Sequence, residues 1–144
     1  MKLFTIGSTK KKAEDFFTSI KHHRIKRVLD IRLNNDEHLT SFARMQHLTY
    51  FLDELCNCDY IHIPMLAPTK EIFYGYKNKK ISWEEYTVEY SALLKSRKVE
   101  NSIFLDDLNQ SCLLCSESTA DMCHRRLAAD YLKDKYKQIK IIHI

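Results

Sequence analysis

Glycine, proline and long apolar runs are all scarce in this chain of 144 residues. It contains two glycines, Gly7 and Gly75, where average usage of roughly 7% would give about ten. A dinucleotide fingerprint requires three glycines within six residues and a Walker loop requires two, so both motifs are excluded. The two prolines likewise exclude collagen-like and low-complexity sequences.

A strong charge of either sign is also missing. Lys and Arg number 23 against 19 Asp and Glu, which leaves a net charge of +4. The isoelectric point of 8.7 falls below the values above about 9 that are typical of nucleic-acid-binding domains. The apolar run Leu3–Ile6 is too short for a signal peptide or a membrane span. We therefore predict a cytoplasmic protein without a membrane partner, whose five cysteines are free thiols.

Apolar periodicity predicts strands that alternate with helices. Short apolar runs indicate strands at residues 3–6, 28–31, 60–63, 112–115 and 139–144. Apolar residues at helical spacing indicate helices at residues 13–22, 45–55, 83–94 and 121–136. Ser82 followed by Glu85 is a capping-box signature for the third of these helices. Residues 64–81 show no strong period, and residues 99–111 are predicted to form a loop with one helical turn.

This alternation predicts an α/β fold in a single domain over residues 1–144. We expect a three-layer sandwich on a mostly parallel five-stranded sheet, doubly wound as in Rossmann-like or flavodoxin-like folds. In such sheets a ligand binds beyond the carboxyl ends of the strands. The residues that directly follow the strands are therefore the candidate site.

The first strand is followed by Gly7, Ser8 and Thr9. Gly7 allows a sharp turn or the close approach of a ligand to the backbone. Ser8 and Thr9 are placed to cap the next helix, whose N-terminus attracts anions. A plain turn with an N-cap explains these residues equally well, so both interpretations stay open.

The second strand places Asp30 and Arg32 on one of its sides, because side chains alternate along a strand. A buried carboxylate and a buried guanidinium each need a partner. Arg32 either pairs with Asp30 or Glu117, or presents its fork to a phosphate or carboxylate ligand. Asn34 and Asn35 add hydrogen-bond donors nearby, which favours the ligand interpretation.

The densest polar cluster follows the fourth strand and contains Cys115, Glu117, Cys123, His124 and Arg125. A cysteine beside arginines at a helix N-terminus has a lowered pKa and acts as a nucleophile. Glu117 serves as a general acid or base provided that it is buried. We assign Cys115, Cys123, His124 and Glu117 to candidate catalysis, and Arg125 joins Arg32 as a candidate anion-binding residue.

A zinc site is considered because Cys112, Cys115, Cys123 and His124 supply the right atom types. Cys112 and Cys115 lie three apart on one predicted strand, so their side chains face opposite sides. Adjacent Cys123 and His124 are expected to diverge on a helix. We therefore predict no metal and no cofactor.

Four ordered motifs resemble the domain-of-unknown-function 488 family. They are Thr5–Thr9, Asp30–Arg32, Cys115–Glu117 and Cys123–Arg125. The family pattern opens with Thr-Ile-Gly-His-Ser, continues with Asp-Val-Arg, and ends with Cys-x-Glu and Cys-His-Arg, so Ser8 stands where the family has His. The resemblance covers essentially the whole chain and implies a compact α/β fold with a clustered polar site. It implies no agreed activity.

A looser likeness is to the rhodanese-type sulfurtransferases. Val28–Arg32 is similar to their early Asp-Val-Arg strand. Leu113–Cys115 and Arg125–Ala129 are similar to their strand, active-site cysteine and following helix. The loop between Cys115 and Arg125 is longer than a rhodanese loop and contains no glycine, which argues against a cradle of backbone amides around an anion.

Three functions are compatible with the sequence. The favoured one is that the chain binds or processes a small anionic ligand, phosphate-bearing or nucleotide-like, at the strand ends. The second is a thiol-dependent, rhodanese-like enzyme that uses Cys115 or Cys123 as nucleophile. The third is a non-catalytic module that binds nucleic acid or protein. The sequence identifies neither a substrate nor an oligomeric state.

Overall fold

Five parallel strands form one sheet that is covered by helices on both faces. The computed structural model describes residues 1–35 and 41–144. The strands are β1 (Lys2–Gly7), β2 (Arg27–Asp30), β3 (Asp59–His62), β4 (Ser111–Cys115) and β5 (Lys140–His143). The α-helices are α1 (Ala13–His22), α2 (Met45–Cys56), α3 (Lys70–Lys77), α4 (Trp83–Arg97), α5 (Leu105–Leu108) and α6 (His124–Lys135). The predicted α/β sandwich with a five-stranded sheet is confirmed.

The strand order across the sheet is β3-β2-β4-β1-β5, with every neighbouring pair parallel. The Rossmann order 3-2-1-4-5 and the flavodoxin order 2-1-3-4-5 both place the first two strands side by side. Here β4 lies between them, so strand order lends no support to a Rossmann-like or flavodoxin-like topology. Because Gly7 pairs with Cys115, and Asp30 with Leu114, the three polar segments that follow β1, β2 and β4 emerge side by side.

Each face of the sheet has its own apolar core. Phe4, Ile6, Val28, Cys112 and Leu114 point towards α1 and α2. The alternate residues, including Leu3, Leu29 and Leu113, point towards α4 and α6. Since side chains alternate, Asp30 lies on the α1 and α2 side with Val28, whereas Cys115 lies on the α4 and α6 side with Leu113.

The helix starts follow local capping chemistry. The Ser82 hydroxyl accepts the backbone N–H of Glu85 at 3.1 Å, so Ser82 caps the start of α4 as its capping-box signature predicts. The Thr69 hydroxyl accepts the N–H of Ile72 at 3.2 Å and begins α3. Sequence periodicity did not predict α3, because the helix has no fully buried residue. The single turn α5 agrees with the helical turn predicted within 99–111.

Among the described helices, none combines the length and the apolar character that a membrane crossing requires.

Candidate functional site

Cys115, the last residue of β4, is the centre of a buried polar cluster. Its side chain is 3% exposed. The Cys123 thiol donates to Cys115 Sγ across 2.9 Å, and His124 Nδ1 lies 3.4 Å from the same sulfur. One strand end and one helix start therefore bring two thiols and an imidazole together.

The convergence of Cys123 and His124 differs from what their adjacency predicted. The expected helix from residue 121 would have turned these two side chains apart. Instead, α6 begins at His124, and Cys123 precedes it with extended backbone angles of φ −135° and ψ 140°. The change from extended to helical backbone at this point directs both side chains to Cys115. The prediction that Cys112 and Cys115 face opposite sides is confirmed.

The His124 ring is fixed by its second nitrogen. Nε2 lies 2.8 Å from the backbone carbonyl oxygen of Ile31. A carbonyl only accepts hydrogen bonds, so Nε2 carries a proton, and Nδ1 is the ring nitrogen that faces Cys115. An edge-on contact with Tyr90, with ring centroids 5.7 Å apart, supports this orientation.

The two thiols have opposite pKa shifts. Burial is the largest single influence on Cys115 and opposes its thiolate. The hydrogen bond from Cys123, the backbone amides of Glu117 and Ser116, and the positive charge of Arg125 outweigh that burial and lower the pKa of Cys115. The hydrogen bond to Cys115, followed by burial, raises the pKa of Cys123. Cys115 is thus the more acidic thiol of the pair, and Cys123 donates a hydrogen bond to it.

Gly7 lets the loop after β4 pack against β1. A Cβ at this position would overlap the carbonyl oxygen of Glu117 and lie 2.7 Å from Arg125 Nη1. The same Nη1 donates to the Glu117 carbonyl, and the Arg125 side chain is 1% exposed. The close approach predicted at Gly7 is therefore made by the protein's own backbone.

Ser8 and Thr9 extend the pairing of β1 with β4 instead of capping a helix. The Ser8 N–H donates to the Cys115 carbonyl at 3.0 Å, and the Thr9 N–H to the Ser116 carbonyl at 2.9 Å. Helix α1 begins later, after Lys12, without a side-chain cap. The prediction that Ser8 and Thr9 cap this helix is wrong, because the backbones of both residues still pair with the chain at the end of β4.

Asp30 and Arg32 form a buried ion pair at the end of β2. Asp30 lies on the face of the sheet opposite to Cys115. Arg32 Nε lies 2.8 Å from Asp30 Oδ1, and Nη2 lies 2.7 Å from Oδ2. The Arg32 backbone N–H also donates to Oδ1, and the Tyr60 hydroxyl to Oδ2 at 2.6 Å. Sequence reasoning missed Tyr60; the signal available was its position on β3, which runs beside β2.

Two further predicted residues lie at the surface. The Glu117 side chain is exposed, so the burial that its acid–base role required is absent, and its carbonyl is the part that contacts Gly7 and Arg125. Asn34 is exposed and donates to the Tyr74 hydroxyl at 3.3 Å.

Comparison with known proteins gives one match. A family model described as "Domain of unknown function DUF488" matches residues 12–132. The chain belongs to the DUF488 family. The matched range includes Asp30–Arg32 and Cys115–Arg125 and begins after Gly7. No curated protein and no solved structure matches this DUF488 chain.

The cysteine cluster of this DUF488 protein also contains metal-binding atom types. The three donor atoms of Cys115, Cys123 and His124 lie within 4.8 Å of one another. A closed structural zinc site takes four such donors, one more than this cluster supplies. The absence of a metal stays a prediction.

A separate apolar cavity of about 600 Å³ lies between α1 and α2, away from the cysteine cluster. Phe17, Phe42 and Phe51 line it, together with Leu55. Its lining contains neither of the cysteines described above, so this apolar cavity and the cysteine cluster are on opposite sides of the sheet.

Proposed function

We propose that this DUF488 protein is a thiol-dependent enzyme in which Cys115 is the nucleophile and His124 is its general base. One observation carries the proposal: His124 Nδ1 lies 3.4 Å from Cys115 Sγ while Nε2 is held by the Ile31 carbonyl. A cysteine paired with an oriented histidine is the arrangement that activates a thiol for covalent catalysis. The thiol alternative is therefore preferred over simple anion binding.

The cluster supplies each component of a covalent step. His124 Nδ1 accepts the proton of the Cys115 thiol, and the resulting thiolate attacks an electrophilic atom of the substrate. The imidazolium then returns the proton to the leaving group. The backbone amides of Ser116 and Glu117 and the charge of Arg125 stabilise the negative sulfur before the attack.

The second element of the proposal is an anionic substrate, which the guanidinium groups of Arg32 and Arg125 favour. Arg32 Nη1 and Arg125 Nε are buried and have no hydrogen-bond partner among the described residues. Arg32 follows the end of β2 and Arg125 lies in the first turn of α6, at the end of the sheet where α/β folds bind ligands. Their unused N–H groups support the class of small anionic ligand that the sequence favoured.

The anion element is tested by thermal shift with inorganic phosphate. Arg125→Lys should abolish a phosphate-induced rise in Tm, because Lys lacks the guanidinium fork. Arg126→Lys is the matched control, since Arg126 is half exposed and forms an ion pair with the exposed Asp130. Equal shifts in wild type and both variants would remove Arg125 from the anion site.

The thiol element is tested by alkylation. Native protein is treated with iodoacetamide between pH 6 and 9, and each cysteine is quantified by mass spectrometry. Cys115 should react well below the free-thiol pKa of about 8.5. Cys56 is the internal control: it is more accessible than Cys115, but burial raises its pKa. Faster reaction of Cys56 at neutral pH would overturn the proposal.

A further inference from the structure

Cys115 and Cys123 are placed to react with each other. Their sulfur atoms lie 2.9 Å apart, so closing a bond of roughly 2 Å needs a movement of about 1 Å. Cys115 is the last residue of β4, and Cys123 directly precedes α6. A strand end and a helix start therefore position the two backbones, and the sulfurs meet within the existing fold.

The two thiols are unequal in a way that suits sequential chemistry. The cluster lowers the pKa of Cys115, because the Cys123 hydrogen bond, two backbone amides and Arg125 together outweigh burial. The pKa of Cys123 is raised, first by its hydrogen bond to Cys115 and then by burial. Cys115 is therefore the sulfur that ionises more readily and attacks first, and Cys123 attacks after Cys115 has reacted.

We propose that Cys115 and Cys123 form a two-thiol site that reduces a small hydroperoxide and closes into a disulfide. The inference rests on the proposed function, because Cys115 is the nucleophile in both. It adds a substrate class and a role for Cys123.

The chemistry balances over two steps. The Cys115 thiolate attacks one peroxide oxygen, the O–O bond breaks, and Cys115 becomes a sulfenic acid. The leaving hydroxide takes the proton held by His124 and departs as water. Cys123 then attacks the sulfenic sulfur, an S–S bond forms, and a second water leaves. The peroxide gains two electrons, which the two thiols supply.

Burial selects the size of the oxidant. Cys115 is 3% exposed and Cys123 is 2% exposed. Hydrogen peroxide has only two heavy atoms, whereas a protein disulfide would have to bring its own backbone into the cluster. The geometry thus favours hydrogen peroxide over exchange with a folded disulfide protein.

The other three cysteines lie apart from this pair. Cys58 and Cys112 belong to the core on the α1 and α2 side of the sheet, and Cys56 packs against that core. Burial raises the pKa of Cys58 to about 12 and also raises the pKa values of Cys56 and Cys112. These thiols are structural, and they serve as internal controls.

The test uses the reduced full-length chain and one equivalent of hydrogen peroxide at neutral pH. Wild type should lose the mass of two hydrogen atoms and regain it with dithiothreitol. Cleavage after Glu117 separates Cys123 from a peptide that contains both Cys112 and Cys115. Fragmentation of the linked peptides between Cys112 and Cys115 then identifies which of the two forms the bond. Cys56→Ser should behave like wild type.

Cys123→Ser separates the two steps, because the serine hydroxyl still donates to Cys115 but cannot form a disulfide. Its Cys115 should accumulate as a sulfenic acid that dimedone labels. Oxidation of wild-type Cys115 to sulfinic acid without linkage, or linkage through Cys112, would overturn the inference. If Cys115 is alkylated rapidly but resists peroxide, the inference fails alone. If it resists both reagents, the proposed function fails with it.

Discussion

The carbonyl oxygen of Glu117 packs directly over the Cα of Gly7, in the space where any other residue would have a Cβ. This contact brings the loop after β4 against the end of β1. Arg125 Nη1 donates to the same carbonyl, so one oxygen joins Gly7, the loop and the first turn of α6. One of the two glycines in the chain is therefore required for the loop after β4 to pack against β1.

Gly7→Ala should displace the loop and weaken the activation of Cys115. The added methyl overlaps backbone, which cannot move as a flexible side chain can, and overpacking of this kind costs about 1–3 kcal/mol. Urea unfolding and the Cys115 alkylation rate measure the two effects. Gly75→Ala is the matched control, because a Cβ there lies 3.5 Å from Ile81. A Gly7→Ala protein with wild-type alkylation would contradict the role of this contact.

Substitutions of His124 distinguish its two nitrogens. Gln places an amide near the position of Nε2 and can still donate to Ile31, but it lacks a base beside Cys115. We expect His124→Gln to fold and to lower the Cys115 alkylation rate at neutral pH by on the order of 10²-fold. The rate difference should shrink as the pH rises through the pKa of Cys115, above which the thiol is ionised without assistance. An unchanged pH profile would show that His124 only packs.

The sheet was predictable because its strands are short apolar runs, and the runs in the central strands, such as Leu113–Leu114, are buried on both faces. The capping box at Ser82 was predictable for a local reason, since its partner Glu85 is three residues away. Helix α3 escaped prediction because it has only eight residues and none of them is fully buried.

The cysteine cluster was only partly predictable. The polar residues after β4 could be identified because strand ends attract ligands, but their directions depended on where α6 begins. One residue of extended backbone at Cys123 decides that His124 faces Cys115. The pairing of Arg32 with Asp30 is one of the alternatives that the sequence indicates. The strand order that puts β4 between β1 and β2 depends on packing of the whole chain and has no local sequence signal.

The ion pair of Asp30 and Arg32 should be a major contribution to stability. Asp30→Ala leaves a guanidinium buried without its carboxylate, which costs about 3–5 kcal/mol. Asp107→Ala is the control, since Asp107 lies 3.8 Å from Arg27 in a partly exposed pair of a kind worth at most about 1 kcal/mol. Urea denaturation compares the two free energies of unfolding. Equal losses of unfolding free energy would show that the buried Asp30–Arg32 pair contributes no more to stability than the partly exposed Arg27–Asp107 pair.

The lowered pKa of Cys115 should also appear as a pH-dependent stability. Burial opposes the thiolate, but the Cys123 hydrogen bond, the backbone amides and Arg125 outweigh it. Between the folded pKa and the unfolded value near 8.5, the unfolded chain keeps a proton that the folded protein has lost, so the free energy of unfolding rises with pH. This contribution is lost as the pH falls through the folded pKa.

Urea unfolding of wild type and Cys115→Ser, under reducing conditions, isolates this contribution. Their difference in unfolding free energy should grow as the pH rises to about 8.5, with a slope of at most about 1.4 kcal/mol per pH unit. Cys112→Ser provides the comparison: burial raises the pKa of Cys112, so folded and unfolded chains both keep that proton below about pH 8.5. The wild-type to Cys112→Ser difference should therefore stay flat in this range. Parallel curves for wild type and Cys115→Ser would mean that Cys115 remains an ordinary thiol, and the nucleophile assigned here would be wrong.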